Sequence, residues 1–129
     1  PLGWNPADGI TSGPDGNLYL GNKEGGANGL GTVVRITNAG TASTLVTFTG
    51  ATGTARGAEP AGVLTTGLDG ALYGMTRLGG ASDGGTAFKL TTAGVFSSLS
   101  AFGTNTGSRP ASGFVMDSGG NFYATATSE

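Results

Sequence analysis

The 129 residues are about enough for one domain, and the low apolar fraction of 36% with 27 glycines is typical of short strands joined by tight turns. A net charge of −2 without any basic run argues against a nucleic-acid partner. Because histidine and cysteine are both absent, disulfides, thiol chemistry and imidazole or thiolate metal sites are excluded. We therefore expect no cofactor, no metal site and no enzymatic activity.

Four strands are predicted in the first part of the chain. The first covers residues 9–12 and ends at the turn Asp15-Gly16, because Asp-Gly supplies the positive φ that a tight hairpin needs. The second begins at Leu18, the third covers 31–37 and the fourth covers 41–49. No apolar run approaches the roughly 20 residues that a membrane-spanning helix requires, so we expect no insertion into a membrane.

The same order of elements then returns. The segment GPDGNLYLGNKEGG at 13–26 reappears as GLDGALYGMTRLGG at 67–80, and 21 of the 48 positions in 6–53 are identical to those in 60–107. A third copy begins at Pro110. The sequence therefore predicts a single repeat array over 1–129, with repeat 1 at 6–59, repeat 2 at 60–109 and the first half of repeat 3 at 110–129.

Apolar side chains occupy both faces of the predicted sheet. In the third strand, Val34 and Ile36 point to one side, as do their equivalents Phe88 and Leu90 in repeat 2. In the fourth strands, Leu45 and Leu99 fall on one side and Phe48 and Phe102 on the other. A sheet that is apolar on both faces must be covered on both faces. We predict an all-β fold of β-propeller-like blades, with four antiparallel strands per repeat of roughly 50 residues and two and a half repeats in this chain; another stacked β array is the alternative.

The quoted motifs resemble a known tandem repeat. Repeat 2, from PAGVLTTGLDGALYGMT to GGTAFKLTTAG, is similar to the GloVer-type repeat of extracellular bacterial proteins, whereas repeat 1 departs from it at Leu20-Gly21-Asn22 and at TVVRIT. The resemblance implies propeller-like β structure and an exported location. It carries over no catalytic residue, because the shared positions are turn glycines and apolar residues.

Charged loop residues form the first candidate site. In a propeller blade, the loop between strands 2 and 3 and the loop that leads to the next blade open on the same face. We expect a ligand rim there, formed by Trp4, Asn22, Lys23, Glu24, Arg56, Glu59, Arg77, Asp83 and Arg109. The competing interpretation is that these charges are simply solvated.

Two further groups of residues have structural interpretations. Asp15 and Asp69 are carboxylates at turns, where Asp usually caps its own backbone, and calcium binding would need more oxygen ligands close by. Tyr19, Tyr73 and Tyr123 could form a stacking platform, but their position beside Leu or Phe in a strand favours core packing.

The second candidate site is the incomplete third repeat. Strand 2 of repeat 3 has no third strand to follow it, so we expect a strand-pairing edge formed by Phe122, Tyr123, Ala124, Thr125, Ala126 and Thr127, called here the edge segment. The expected partners are other copies of the chain or further repeats of the same protein.

These features predict a function without catalysis. The first hypothesis is an exported bacterial protein, extracellular or at the cell surface, with a structural or adhesive role as a subunit of an assembly such as a ring or filament, or as part of a longer propeller. The alternative is a lectin-like propeller that binds glycans on the loop rim.

Overall fold

The computed structural model describes residues 3–7, 9–103 and 107–127, and every regular element within these ranges is a β-strand. None of the described residues forms a helix with the length and apolar character that crossing a membrane requires. The prediction of an all-β chain is therefore confirmed.

Repeat 1 forms one antiparallel sheet. Its strands are β1 (Trp4–Pro6), β2 (Thr11–Ser12), β3 (Leu18–Glu24), β4 (Thr32–Ile36) and β5 (Ala42–Thr47). β1 and β2 both pair with β3, which pairs with β4, and β4 pairs with β5. Together, β1 and β2 take the place of one interrupted first strand, so the sheet has the four-strand order expected of a propeller blade.

Repeat 2 forms the same sheet with an uninterrupted first strand. Its strands are β6 (Ala58–Thr66), β7 (Leu72–Leu78), β8 (Thr86–Leu90) and β9 (Phe96–Ala101), in the order β6-β7-β8-β9. The pairing register of β6 on β7 shifts between Ala61 and Thr65. The first strand thus starts several residues before the predicted 9–12, and the repeats of the structure are counted here from residues 4, 58 and 108. The sequence missed this start because a turn motif marks only the end of the strand.

Repeat 3 consists of two short antiparallel pairs. β10 (Ser108–Pro110) pairs with β13 (Ala126–Thr127), and β11 (Val115–Met116) pairs with β12 (Phe122–Tyr123). These pairs correspond to the first two strands of the complete repeats.

The main hydrophobic core lies between the sheets of repeats 1 and 2. Phe48 of repeat 1 meets Phe88 of repeat 2 edge to face, with 5.4 Å between ring centroids, and both side chains are fully buried. The buried core residues around them come from both repeats: Tyr19, Val33, Val46, Ala55, Leu64, Leu72 and Leu90. Each sheet therefore buries its apolar face against the neighbouring copy and not against a separate layer.

Repeats 2 and 3 share a smaller contact, and its aromatic rings are only partly covered. The rings of Tyr73 and Phe122 are 4.2 Å apart, and Phe122 also meets Phe114 edge to face at 5.4 Å. In the fourth strand of repeat 2, Leu99 is 52% exposed. Its equivalent in repeat 1, Leu45, packs beside Gly94 of the next repeat, and the described part of repeat 3 has no corresponding turn to cover Leu99.

The joint between repeats uses the same backbone contacts each time. The amide N–H of Glu59 donates to Leu30 O at 2.9 Å, and the amide N–H of Arg109 donates to Gly84 O at 2.7 Å. The proline that follows each donor packs against a glycine of the preceding repeat with positive φ, Gly31 at +99° and Gly85 at +98°. A Cβ on Gly31 would lie 2.7 Å from Pro60 Cδ, so only glycine lets the repeats approach this closely.

Candidate functional site: the rim and the open strand edge

The turn carboxylates have structural partners. Asp15 accepts a hydrogen bond from the Tyr19 hydroxyl at 2.7 Å, and Asp69 accepts one from Tyr73 at the same distance. The other carboxylate oxygen caps the turn, accepting from the amide of Asn17 or of Ala71. Burial and the bond to Asp15 raise the pKa of Tyr19 to about 12. These contacts support the interpretation of Asp15 and Asp69 as turn caps.

The third repeat keeps this tyrosine–carboxylate pair by a different route. Gly119 occupies the position of Asp15 and Asp69, but Asp117, two residues earlier, accepts hydrogen bonds from the amides of Gly119 and Asn121 and from the Tyr123 hydroxyl at 3.1 Å. The bonds from Asn121 hold the pKa of Asp117 below its usual range. Tyr123 itself is 59% exposed, so core packing does not describe this third tyrosine.

We use the term rim for the sheet edge at which β1, β6 and β10 begin and β3 and β7 end. Most of the predicted site residues lie there, at strand ends more often than in loops. Lys23 and Glu24 end β3, Arg77 lies in β7, and Glu59 and Arg109 lie in β6 and β10.

Hydrogen bonds and an ion pair connect several rim residues. Glu24 accepts from the Trp4 indole nitrogen at 2.9 Å and from Asn5 Nδ2 at 3.0 Å, which together lower the pKa of Glu24. Arg77 forms an ion pair with Glu59, with 3.3 Å between Nη1 and Oε2. Trp4 remains 64% exposed although its indole is held in place.

The remaining predicted rim residues have other environments. Asn22 is buried and donates from Nδ2 to Thr32 Oγ1 at 3.3 Å. Asp83 lies in the exposed loop between β7 and β8 and accepts the amide N–H of Gly79 at 2.7 Å. Arg56 is exposed, and its carbonyl oxygen accepts a hydrogen bond from Thr86. Among the described residues, no group of three or more Asp, Glu, His or Cys side chains could hold a metal ion.

An unusual backbone conformation recurs at the rim and was not predicted from the sequence. Asn5, Glu59 and Arg109 occupy the same position of successive repeats, directly before the proline, and have φ of 57°, 53° and 51°. A positive φ is uncommon in non-glycine residues, and strained residues of this kind concentrate at functional sites. The repeated dipeptide X-Pro at 5–6, 59–60 and 109–110 was the available signal, but a residue before proline is ordinarily extended.

A cavity of about 260 Å³ opens at the rim and is lined by Lys23, Ala61, Arg77 and Ala111. These residues come from all three repeats, so the cavity is a product of the stacking. Two cationic side chains and two methyl groups face it.

The edge segment has a partner strand on one side. β12 and β13 pair with β11 and β10, and within the described ranges no strand pairs with their other side. In the complete repeats, that side carries the third strand, β4 or β8. Tyr123, Ala124, Thr125, Ala126 and Thr127 are exposed, and Phe122 is half-buried.

The fold has a counterpart among solved structures. The chain is similar to the crystal structure of a protein described as a "putative gluconolactonase", with a TM-score of 0.61 and 20% sequence identity over 95% of this chain and 42% of the other. The chain thus spans less than half the length of that protein. At this identity the likeness concerns the fold alone, and it supports the propeller-like architecture.

The sequence was compared with functionally curated proteins and with family models. No curated protein matches the chain. The model of the Gloeobacter/Verrucomicrobia repeat matches residues 2–129, almost the entire sequence. The chain therefore belongs to the Gloeobacter/Verrucomicrobia repeat family.

Proposed function

We propose that this protein is a non-enzymatic building unit of an exported bacterial β-repeat assembly, in which the edge segment pairs with a strand of another copy or of a further repeat of the same protein. The observation that carries the proposal is the one-sided pairing of β12 and β13, whose equivalents in repeats 1 and 2 have strands on both sides. An unpaired edge of this kind is a template for another strand.

The exposure of equivalent tyrosines supports stacking as the source of stability. Tyr19, which faces repeat 2, is fully buried, Tyr73, which faces the short repeat 3, is half-buried, and Tyr123 is 59% exposed. The three residues have the same type and the same position in the repeat. Their burial therefore follows the presence of the next repeat. Third and fourth strands added to repeat 3 would cover Leu99, and a further repeat stacked on repeat 3 would bury Tyr123.

The opposite end of the array also has an uncovered apolar surface. Leu18 is 38% exposed, whereas its equivalent Leu72, which packs against repeat 1, is fully buried. Pro6 is exposed, whereas Pro60 and Pro110, which pack against the preceding repeat, are buried. The two ends are different surfaces, so their association is heterologous and extends head to tail into rings or filaments.

An extracellular or cell-surface location belongs to the same proposal. The family description names two groups of bacteria. The abundance of glycine, threonine and serine is compatible with export. Immunolabelling of intact cells of the source bacterium tests the location: surface labelling is expected, and labelling that appears only after lysis would contradict it.

The non-enzymatic role needs its own test because one solved structure of similar fold is described as a "putative gluconolactonase". The chain contains no histidine or cysteine to act as a general base or thiol nucleophile. Hydrolysis of glucono-1,5-lactone is expected to proceed at the rate of the buffer alone. A saturable, protein-dependent rate would overturn this part of the proposal.

The mass of the native particle tests the assembly. We expect light scattering to give masses above the 12.5 kDa of one chain. The variant Thr125→Lys places a charge on the exposed edge and should shift the mass toward a single chain, because lysine opposes edge-to-edge pairing. The matched control Thr41→Lys, at an exposed turn distant from the edge, should leave the mass unchanged.

A second construction tests the same edge by completing it. Residues 78–103, copied after Thr127, would add a third and a fourth strand to repeat 3, and a Gly/Ser tail of equal length is the control. The completed chain should melt at a higher temperature than the control. A parent chain that is monodisperse at the mass of one chain and melts with the completed chain would refute the proposal.

Glycan binding at the rim is a second candidate function. The observation that favours it is Trp4, an exposed aromatic ring whose indole is held by Glu24. A fixed aromatic face presents a large contact surface at low entropic cost. Binding on a glycan array that is lost in Trp4→Ala would support this function, and an array without signal at high protein concentration would remove it.

A further inference from the structure

We infer that the rim cavity lined by Lys23, Arg77, Ala61 and Ala111 binds a small organic carboxylate, with Lys23 as its principal partner. The inference does not depend on assembly, and it deepens the glycan-binding candidate only by naming the chemical group that this face recognises.

In repeat 2, the cationic side chain at the rim has an anionic partner in the same chain. In the register of β6 on β7, Ala58 pairs with Leu78 and Pro60 with Thr76, so Glu59 lies opposite Arg77. The Glu59 carboxylate turns to Arg77 and forms the ion pair at 3.3 Å. In repeat 2, the residue opposite the cation at the end of the second strand therefore supplies a carboxylate to it.

Repeat 1 has the cation without the carboxylate. Lys23 occupies the position of Arg77, and the register of β1 on β3 places Asn5 opposite it. Asn5 is neutral and donates a hydrogen bond to the Glu24 carboxylate, which also accepts one from the Trp4 indole. Among the residues that the structure describes, Nζ of Lys23 has neither a hydrogen bond nor an ion pair.

Lys23 is half-buried, and no anionic partner for it lies among the described residues. Burial of a charge is unfavourable unless the charge is paired, and the penalty is reduced when an anion enters the same cavity. Arg77 lines the same cavity and supplies further donors to an anion held by Lys23.

Charge and size select the class of ligand. Glu59 already neutralises Arg77, which leaves Lys23 as one uncompensated positive charge, and a carboxylate carries one negative charge. Phosphate at neutral pH carries between one and two negative charges and so matches the single positive charge of Lys23 less well. The cavity of about 260 Å³ is smaller than the sites that hold drug-sized ligands, and Ala61 and Ala111 contribute the apolar part of its lining. A carboxylate with a short carbon skeleton, from an acidic sugar or a simple organic acid, fits these limits.

Titration calorimetry with three probes tests the inference on the whole chain. Sodium glucuronate carries the carboxylate and a sugar ring, acetate carries the carboxylate alone, and glucose carries the ring alone. We expect saturable binding of glucuronate and no binding of glucose. Acetate that binds as well as glucuronate would identify a simple organic acid as the ligand, and weaker acetate binding would identify an acidic sugar.

Two substitutions should act in opposite directions. Lys23→Gln removes the unpaired cation and should weaken glucuronate binding roughly tenfold or more, because a charge-assisted hydrogen bond is lost. Glu59→Gln releases Arg77 and should strengthen binding by roughly threefold or more, because a second cation becomes available. The matched control Lys89→Gln removes an equal charge outside the cavity and should leave the affinity unchanged.

The outcomes separate this inference from the glycan-binding candidate. Glucose binding equal to that of glucuronate, no saturable glucuronate binding, or equal losses in Lys23→Gln and Lys89→Gln would each overturn the carboxylate site. Neutral glycans that bind through Trp4 on the array would leave the glycan-binding candidate standing even then. Acetate binding that depends on Lys23, together with a glycan array that shows no signal, would support the carboxylate site and remove the glycan-binding candidate.

Discussion

At the scale of single residues, a hydrogen bond between a tyrosine and a carboxylate stabilises the hairpin that joins the first two strands of each repeat. In repeat 1, Asp15 caps the turn with one oxygen and accepts the Tyr19 hydroxyl with the other. Because Tyr19 is fully buried, the hydroxyl needs this acceptor, and its ionised form would be both desolvated and placed beside a negative charge.

The raised pKa of Tyr19 predicts a loss of stability in alkali. Below pH 10, the tyrosine is protonated in both states, and between pH 10 and about 12 only the unfolded chain releases the proton, so the free energy of unfolding falls as the pH rises. Tyr19→Phe should lower stability by about 1–3 kcal/mol at neutral pH through the lost hydrogen bond. It should also flatten the decline above pH 10.

Denaturant melts from pH 8 to pH 11 measure this slope. Tyr123→Phe is the matched control, because the exposed Tyr123 makes the same contact with Asp117 in repeat 3. Equal alkaline slopes for Tyr19→Phe and the parent chain would contradict the assignment of the titration to Tyr19.

The sequence predicted the turn caps but not all of their positions. Asp-Gly at 15–16 and 69–70 is a local signal, and local signals are sufficient for a turn. The cap at Asp117 was missed because the repeat alignment places Gly119 at that position. A carboxylate two residues earlier reaches the same amides, and such an exchange depends on three-dimensional distance and not on the alignment column.

At the scale of elements, the joint between repeats depends on a glycine that contacts a proline across it. Gly85 has a φ of +98°, and a Cβ there would collide with the carbonyl oxygen of Thr76 and lie 3.0 Å from Pro110 Cδ. Backbone cannot move aside as a flexible side chain can, so the repeats would have to separate.

Gly85→Ala should therefore destabilise the chain more than the strain of a positive φ alone would. Gly40→Ala is the matched control, because Gly40 also has a positive φ, +85°, and its Cβ would meet nothing within 4 Å. We expect a cost of about 1 kcal/mol for Gly40→Ala and at least about 2 kcal/mol more for Gly85→Ala. Chemical denaturation of both variants measures the difference, and equal costs would show that the joint is not tightly packed.

The second, third and fourth strands were predicted close to their observed bounds, because alternating apolar residues and Gly-containing turns are local signals. The early start of the first strand at Trp4–Pro6 and the left-handed residues before proline were not predicted. In repeats 2 and 3 these features depend on hydrogen bonds from the preceding repeat to Glu59 and Arg109. Such contacts lie outside any local window of sequence.

At the scale of the whole molecule, the main source of stability is the apolar contact between the sheets of repeats 1 and 2. Phe48 and Phe88 belong to different repeats and share one buried contact, with Phe96 at 6.1 Å from Phe48 and 5.4 Å from Phe88. Repeat proteins of this kind gain stability from nearest-neighbour interfaces. Repeats 1 and 2 are therefore expected to unfold together.

A double-mutant cycle tests this coupling. Phe48→Leu and Phe88→Leu should each lower stability, and the double variant should lose less than the sum by about 0.5–1.5 kcal/mol, the energy of an aromatic pair. Each variant should still melt in one transition by circular dichroism. Strictly additive losses, or two separate transitions, would show that the repeats are independent.

The recurring left-handed position at the rim has a consequence for how such proteins diversify. The backbone presents a side chain in one fixed direction in every copy, yet that side chain is neutral in Asn5, negative in Glu59 and positive in Arg109. Glu59 and Arg109 hold the joint through their amide groups, so a substitution that leaves the backbone in place preserves these contacts whatever the side chain. Gene duplication followed by single substitutions at this position can thus produce new surface chemistries on an unchanged scaffold.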